Sequence, residues 1–152
     1  MGTHKPDYRH DGYLRNPLEL DRQAKTVGEV CKYLRLLQQD YEAIAFRGMS
    51  GALIAPTVAL RLKKTLIMVR KPETVTHSRM RVEGDSGAKR YIIIDDLIST
   101  GDTVRQIQWD IKAWSGAECL GTLEVNALMR MKEIGIPLMG LNQMGVTLAN
   151  AA

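Results

Sequence analysis

The sequence predicts an α/β fold, a single doubly wound parallel sheet with helices on both faces. Three observations point there. Short strand-like runs at 41–46, 65–69, 90–95 and 119–125 alternate with longer stretches whose apolar residues recur at helical spacing. The run Tyr91-Ile92-Ile93-Ile94 is apolar at every position, as in a parallel strand buried on both faces. A chain of 152 residues, 45% hydrophobic and 25% charged, suits one domain with a real core and leaves little room for a second.

Each element has its own reason. Residues 1–15 are polar and read as an arm. Asn16-Pro17-Leu18-Glu19 suits a helix start, with Asn as cap, Pro at the first position and Glu three residues after the cap. Leu20, Ala24, Val27, Cys31, Leu34 and Leu37 then mark one face through about residue 38. Tyr41 to Phe46 is a strand, Arg47-Gly48-Met49-Ser50-Gly51 a turn, and Ala52 to Leu62 a helix with Pro56 near its start. Thr65 to Val69 is the second strand. Residues 71–90 are charged and without period, which predicts a long flexible loop. Arg90 to Asp95 is the third strand. Val104, Ile107, Ile111 and Trp114 line a helix over 103–114, and Gly116 ends it in a left-handed cap. Trp109 falls off that stripe, which suits partial exposure or an oligomer contact, although a ring lying flat over neighbouring side chains is the commoner case. Cys119 to Val125 is the fourth strand. Residues 134–152 carry no charge and are apolar between glycines, which suits a last strand, a cover or a subunit contact.

Composition narrows the function classes. The net charge of +4 is mildly basic, in keeping with anionic ligands and weakly with RNA. The two cysteines, Cys31 and Cys119, match no metal spacing and suit buried thiols in a reducing compartment. No run approaches membrane-spanning length, and Met1 to Asn16 lacks an apolar signal core, so a cytoplasmic protein without membrane partners is expected.

The chemistry concentrates at 91–103. An apolar strand ends in Asp95 and Asp96, a hydroxyl- and glycine-containing turn follows, and a helix starts near Asp102. Carboxylates accept hydrogen bonds from sugar hydroxyls. A helix N-terminus offers unpaired N–H groups and partial positive charge to a phosphate. Gly101 permits close backbone approach, and Thr100 and Thr103 add hydroxyls. The block suits a ribose 5-phosphate. Arg47, Arg70 and Asp95 all fall at predicted strand ends, where ligands of such sheets bind. An acid-ended strand also occurs in receiver-type proteins that hold a metal, but those do not require the Thr-Gly-Xaa-Thr turn. The Arg47-to-Gly51 turn lacks the Gly-Lys-Ser/Thr ending of a P-loop.

The 91–103 block resembles the phosphoribosyl-pyrophosphate (PRPP) signature of the type I phosphoribosyltransferases. The Arg47-Gly48 turn is similar to that family's pyrophosphate loop, and Arg70-Lys71 resembles its adenine and orotate branches. The resemblance implies that fold with a reduced hood, Asp95 and Asp96 on the ribose hydroxyls, and Leu97, Ile98, Ser99, Thr100, Gly101, Asp102 and Thr103 around the 5-phosphate. It implies Arg47, Gly48, Arg70 and Lys71 on the pyrophosphate, with Asp95, Asp96 and Lys71 as the catalytic set. Mg²⁺ is implied with PRPP, reaching Asp95 and Asp96 only through PRPP and water. Many members have Gly where this chain has Asp102. A carboxylate beside a phosphate is unfavourable, so Asp102 is expected to turn outward and serve the helix start.

The implied reaction moves 5-phosphoribose from PRPP to a nitrogenous base, with adenine the preferred acceptor and a homodimer the expected assembly. Residues 73–89 form a candidate lid, in which Glu73, His77 and Glu83 are candidates to assist the base, with Arg79 and Arg81 as further charged groups. The alternative is a noncatalytic sensor of PRPP or a nucleotide on the same fold, one that also binds RNA.

Overall fold

A computed structural model of the chain describes residues 18–37, 40–72, 79–96 and 101–133. Its elements in chain order are α1 (Leu20–Leu37), β1 (Ala43–Phe46), α2 (Gly48–Leu62), β2 (Thr65–Val69), β3 (Val82–Gly84), β4 (Arg90–Asp95), α3 (Asp102–Ser115), β5 (Glu118–Glu124) and α4 (Val125–Glu133). The strands form one sheet in the order β3-β2-β1-β4-β5. β2, β1, β4 and β5 run parallel, and β3 pairs antiparallel with the outer edge of β2.

Side-chain alternation sets the layers. Ile44, Phe46, Ile92 and Ile94 point to one face, where they meet Val27, Val30 and Leu34 of α1, Ile54, Ala55 and Val58 of α2, and Leu128 of α4. Ala43, Ala45, Tyr91 and Ile93 point to the other, under Val104, Ile107 and Ile111 of α3. The four residues Tyr91 to Ile94 are all buried, as their unbroken apolar run predicts. Burying one such isoleucine is worth roughly 1.5–3 kcal/mol. The expected doubly wound arrangement is present, with three helices on one face and one on the other.

Several expectations need correcting. The sheet is not wholly parallel. Part of the stretch expected as loop, 71–90, forms β3, because the chain reverses after Lys71 and pairs with the free edge of β2. The turn expected at 47–51 is the first turn of α2. Arg47 is extended and Gly48, at φ 75°, completes the bend in one residue, so the helix begins at once. Pro56 is therefore interior to α2, and the carbonyl of Ala52, on the exposed side, loses its helical donor. On α1 the buried set is Thr26, Val27, Val30, Cys31, Tyr33 and Leu34, while Leu20 and Ala24 are exposed. Only the second half of α1 packs on the sheet. The helix α4 was not expected, although Val125, Ala127, Leu128 and Met131 have helical spacing and Arg130 and Lys132 suit its last turn. Trp109 is 77% exposed and does not lie over its neighbours.

Other expectations hold closely. β2 and β4 have the bounds read from sequence, Gly116 caps α3 in the left-handed conformation at φ 76°, and both cysteines are free and buried. The arm at 1–15 and the apolar stretch at 134–152 lie outside the described residues. No described helix is long and apolar enough to cross a membrane.

The hairpin of β2 and β3 depends on one glycine. Gly84 has φ 139°, and a Cβ there would lie 2.2 Å from the carbonyl oxygen of Leu66. The replacement Gly84→Ala is expected to lower stability by roughly 1–3 kcal/mol, read as a shift in the urea midpoint. Gly116→Ala, whose new Cβ would meet nothing within 4 Å, is expected to lose only about 1 kcal/mol. Equal losses at the two positions would contradict this account of β3.

Candidate functional site

Parallel pairing of β1 with β4 brings the ends of both strands to the same sheet edge. Arg47 and Gly48 leave β1 there, and Asp95 and Asp96 end β4. Asp95 Oδ1 accepts a hydrogen bond from the backbone N–H of Asp96 at 2.9 Å. The carbonyl of Asp96 accepts from the N–H of Asn126 at 3.1 Å, which ties the start of α4 to the acidic pair. A cleft opens beside these groups. Thr26, Ser50, Gly51 and Ile54 form one wall, and Val125, Asn126 and Met129 form the other, with Asp95 and Asp96 between them. Gly51 matters to that wall, since a Cβ would stand 3.1 Å from the Cβ of Phe46.

Asp95 is electrostatically unusual. Burial pushes its carboxyl up to about 7, reinforced by a hydrogen bond and charge repulsion from Asp96 and by the more distant charge of Glu124. The pair therefore holds a proton near neutrality that two separate aspartates would have lost. Charge brought by a ligand decides when it leaves.

The residues expected from sequence to bind pyrophosphate lie just after β1 and β2 and at the start of α2. Gly48 opens α2, whose first N–H groups face this sheet edge. The ammonium of Lys71 lies over Gly48, with Nζ 3.8 Å and Cε 3.6 Å from where a Cβ would be. Arg70 is half-buried and ion-paired with Glu83 of β3. Arg47 behaves differently from the sequence expectation of a free cation. It is 7% exposed, and its guanidinium donates to Gln106 Oε1 at 2.8 Å and to the carbonyl of Arg70 at 3.0 Å. It thus braces α3 and the end of β2 against the end of β1. The Nε atoms of Arg47 and Arg70 are buried and have no hydrogen-bond partner among the described residues.

On the phosphate side, Gly101 takes φ 81° and caps α3, and Asp102 and Thr103 are exposed in its first turn. Asp102 is ion-paired with Arg105 one turn on, with its side chain 77% exposed, in keeping with the expected outward orientation. Leu97, Ile98, Ser99 and Thr100 lie outside the described residues, as do Glu73 and His77. Of the lid candidates, Glu83 is engaged with Arg70, and Arg81 pairs with Asp110 of α3 at 3.1 Å. Arg79 is exposed.

Sequence reasoning missed the cleft walls. Thr26 is a buried polar residue on a helix read only for its apolar face, and Asn126 belongs to the helix that was not expected. The signal for Asn126 was present in the spacing of Val125, Leu128 and Met131.

An acid-ended strand beside a helix-opening Arg-Gly pair, on a parallel sheet with an antiparallel edge, defines the type I phosphoribosyltransferase fold. No family model matches the chain. Its sequence is similar to the adenine phosphoribosyltransferase of Bifidobacterium longum subsp. infantis, 35% identical over 81 residues that cover 43% of this chain and 42% of that relative. It is also similar to the adenine phosphoribosyltransferase of Pseudomonas fluorescens, 29% identical over 139 residues, covering 74% of this chain and 73% of the relative. In three dimensions it resembles the orotate phosphoribosyltransferase of Francisella tularensis, with a TM-score of 0.58 at 13% identity, over 71% of this chain and 53% of that one. The chain thus shares the fold of the type I phosphoribosyltransferases, and it spans less than half the length of the first of these relatives and about half that of the Francisella enzyme.

The raised Asp95 pKa gives stability a definite pH dependence. A carboxyl whose folded pKa lies above its unfolded value, near 4, binds an extra proton in the native state between the two. Its contribution is full below about 4 and is lost as pH rises through about 7. Thermal unfolding of the wild type is therefore expected to lose stability from pH 5 to pH 8 relative to Asp95→Asn. Parallel pH profiles for the two proteins would contradict the assignment.

Proposed function

We propose that the protein transfers 5-phosphoribose from PRPP to the ring nitrogen of a purine, adenine first, and releases pyrophosphate. The observation that carries this is the placement of two adjacent carboxylates, Asp95 and Asp96, at the same sheet edge as Gly48 and Lys71. The adenine phosphoribosyltransferases among its relatives support the acceptor.

In this reading Asp95 and Asp96 accept hydrogen bonds from the two ribose hydroxyls. The N-terminus of α3 with Gly101, Thr103 and the 97–100 segment holds the 5-phosphate, and the N–H groups that open α2 hold the pyrophosphate with Lys71 and Arg70. The bond from the anomeric carbon to pyrophosphate oxygen breaks, and the bond to the base nitrogen forms with inversion. The base gives up one proton. Positive charge develops on the ribose and negative charge on the leaving group. The acidic pair sits against the first and the cations against the second, each charge-assisted bond worth roughly 1.5–3 kcal/mol. Arg47 acts as a positioning residue. It fixes the end of β2, and hence Arg70 and Lys71, relative to α3. Its unpartnered Nε, with that of Arg70, leaves donor capacity on the pyrophosphate side.

The donor set also fits Mg²⁺ arriving with PRPP. Among the described residues no group of three or more His, Cys, Asp or Glu side chains is arranged to hold a metal. Mg²⁺ does not require such a cage, since it commonly uses one or two carboxylates with substrate phosphates and water. When bound it neutralises pyrophosphate charge, while Asp95 and Asp96 orient its water shell.

The cleft between α1, α2 and α4 is the natural place for the base, with Ile54, Val125 and Met129 as apolar contacts and Ser50 and Asn126 as polar ones. A cytoplasmic homodimer is the expected working form. The exposed Met80 and Trp109 offer an apolar surface to a second copy, which a solution mass measurement tests.

The direct test incubates the full chain with PRPP, Mg²⁺ and a panel of bases, and measures pyrophosphate and nucleotide. Adenosine monophosphate is expected, with a rate at least about 100-fold lower in Asp95→Asn/Asp96→Asn. PRPP binding without turnover of any base would overturn the enzyme reading and leave a PRPP sensor.

A further inference from the structure

At the end of the sheet opposite Asp95 and Asp96, the last turns of α1 and α2 lie side by side over the start of β1 and β2. Between them is a concave pocket of about 260 Å³. Leu34, Tyr41 and Leu62 form its floor. Its remaining lining residues are Arg35, Arg61, Lys63 and Lys64, and among the described residues no carboxylate takes part. Arg35, Arg61 and Lys63 form no ion pair among the described residues. Lys64 Nζ donates to the carbonyl of Tyr41 at 2.6 Å and lies 4.5 Å from the centre of the Tyr41 ring. Neither contact neutralises its charge.

Helix ends account for part of this cluster. One cation in the last turn suits a helix C-terminus, and Arg35 and Arg61 serve α1 and α2 in that way. Two features remain. The guanidinium groups of Arg35 and Arg61 approach from different helices yet act on the same buried thiol, Cys31, whose pKa both lower against the effect of burial. Like charges are thus gathered rather than spread. Lys63 caps α2 at φ 55°, ψ 46°, the left-handed conformation in which glycine or asparagine is the low-strain choice. A lysine there keeps a fourth positive charge against its backbone preference.

We propose that this pocket is a second anion site, separate from the PRPP site, that binds the phosphate chain of a small polyphosphorylated molecule. Four cations suit several negative charges, and a small open concavity of about 260 Å³ suits a compact anion rather than a long nucleic-acid strand. The site also sits at the start of both strands that lead to the pyrophosphate side. Tyr41 precedes β1, which leads directly to Arg47, and Lys64 precedes β2, which leads directly to Arg70.

The test titrates the full, ¹⁵N-labelled chain, without Mg²⁺, with inorganic tripolyphosphate and in parallel with a nucleoside triphosphate. Saturable shifts are expected at the amides of Arg61, Leu62, Lys63 and Lys64, and they persist in Asp95→Asn/Asp96→Asn. Tighter binding of the nucleoside triphosphate assigns the ligand as a nucleotide, and equal binding assigns the phosphate chain alone. Lys63→Gly relieves the left-handed strain, so it is expected to fold at least as stably as the wild type while binding about tenfold more weakly or worse. Arg35→Ser/Arg61→Ser is expected to abolish saturation. Shifts that rise linearly without saturating, shifts confined to Gly48, Lys71 and Gly101, or unchanged affinity in Lys63→Gly would each overturn the proposal.

Discussion

The parallel pairing of β1 with β4 is the constraint on which the rest of the site depends. Its register, Ala43 with Tyr91 and Ala45 with Ile93, sends both chains out of the sheet at neighbouring points. One exit carries Arg47 and Gly48, the other Asp95 and Asp96. A slip of one residue would turn the buried side chains of β4 to the wrong face, and burial on both faces makes that slip costly. The packing that stabilises the fold is thus also what holds cations and carboxylates at one edge.

That edge is built on opposed charges held apart by secondary structure. The acidic pair is partly buried and keeps a proton that isolated aspartates would have lost. On the other side, Lys71 lies over Gly48, and Arg70 is steadied by Glu83. Arg47 ties the cationic side to α3, through Gln106 on α3 and the carbonyl of Arg70 just after β2. Its burial shows why a conspicuous arginine in a loop is not automatically a ligand. The same side chain type serves equally well as a brace when several carbonyl or amide oxygens lie within reach.

Much of the fold was legible in the sequence, for local reasons. β4 is apolar throughout and bounded by charge, so its limits could be read to the residue. The stripe Val104, Ile107, Ile111 and the stop at Gly116 placed α3 to within one residue at each end. What was missed depended on tertiary partners. β3 has three residues, and no pattern in Val82-Glu83-Gly84 announces a strand until the edge of β2 is available to pair with it. The start of α2 was hidden because Gly48 and Gly51 read as a turn, whereas one bends the backbone and the other lets the helix pack against Phe46. At the site, the acids and the helix start were visible from their spacing. The cleft walls, Thr26 and Asn126, were not, because each becomes notable only once α1 and α4 are folded against β4.

The central claim is that Asp95 holds its raised pKa in order to meet the ribose of PRPP at the edge shared with Lys71. Calorimetric titration of the full chain with PRPP and Mg²⁺ near pH 7, in buffers of different ionisation enthalpy, measures the protons exchanged on binding. Release of protons by the wild type, clearly reduced in Asp95→Asn, is the result this account predicts. Equal proton exchange in the two proteins, with PRPP bound equally well, would contradict it.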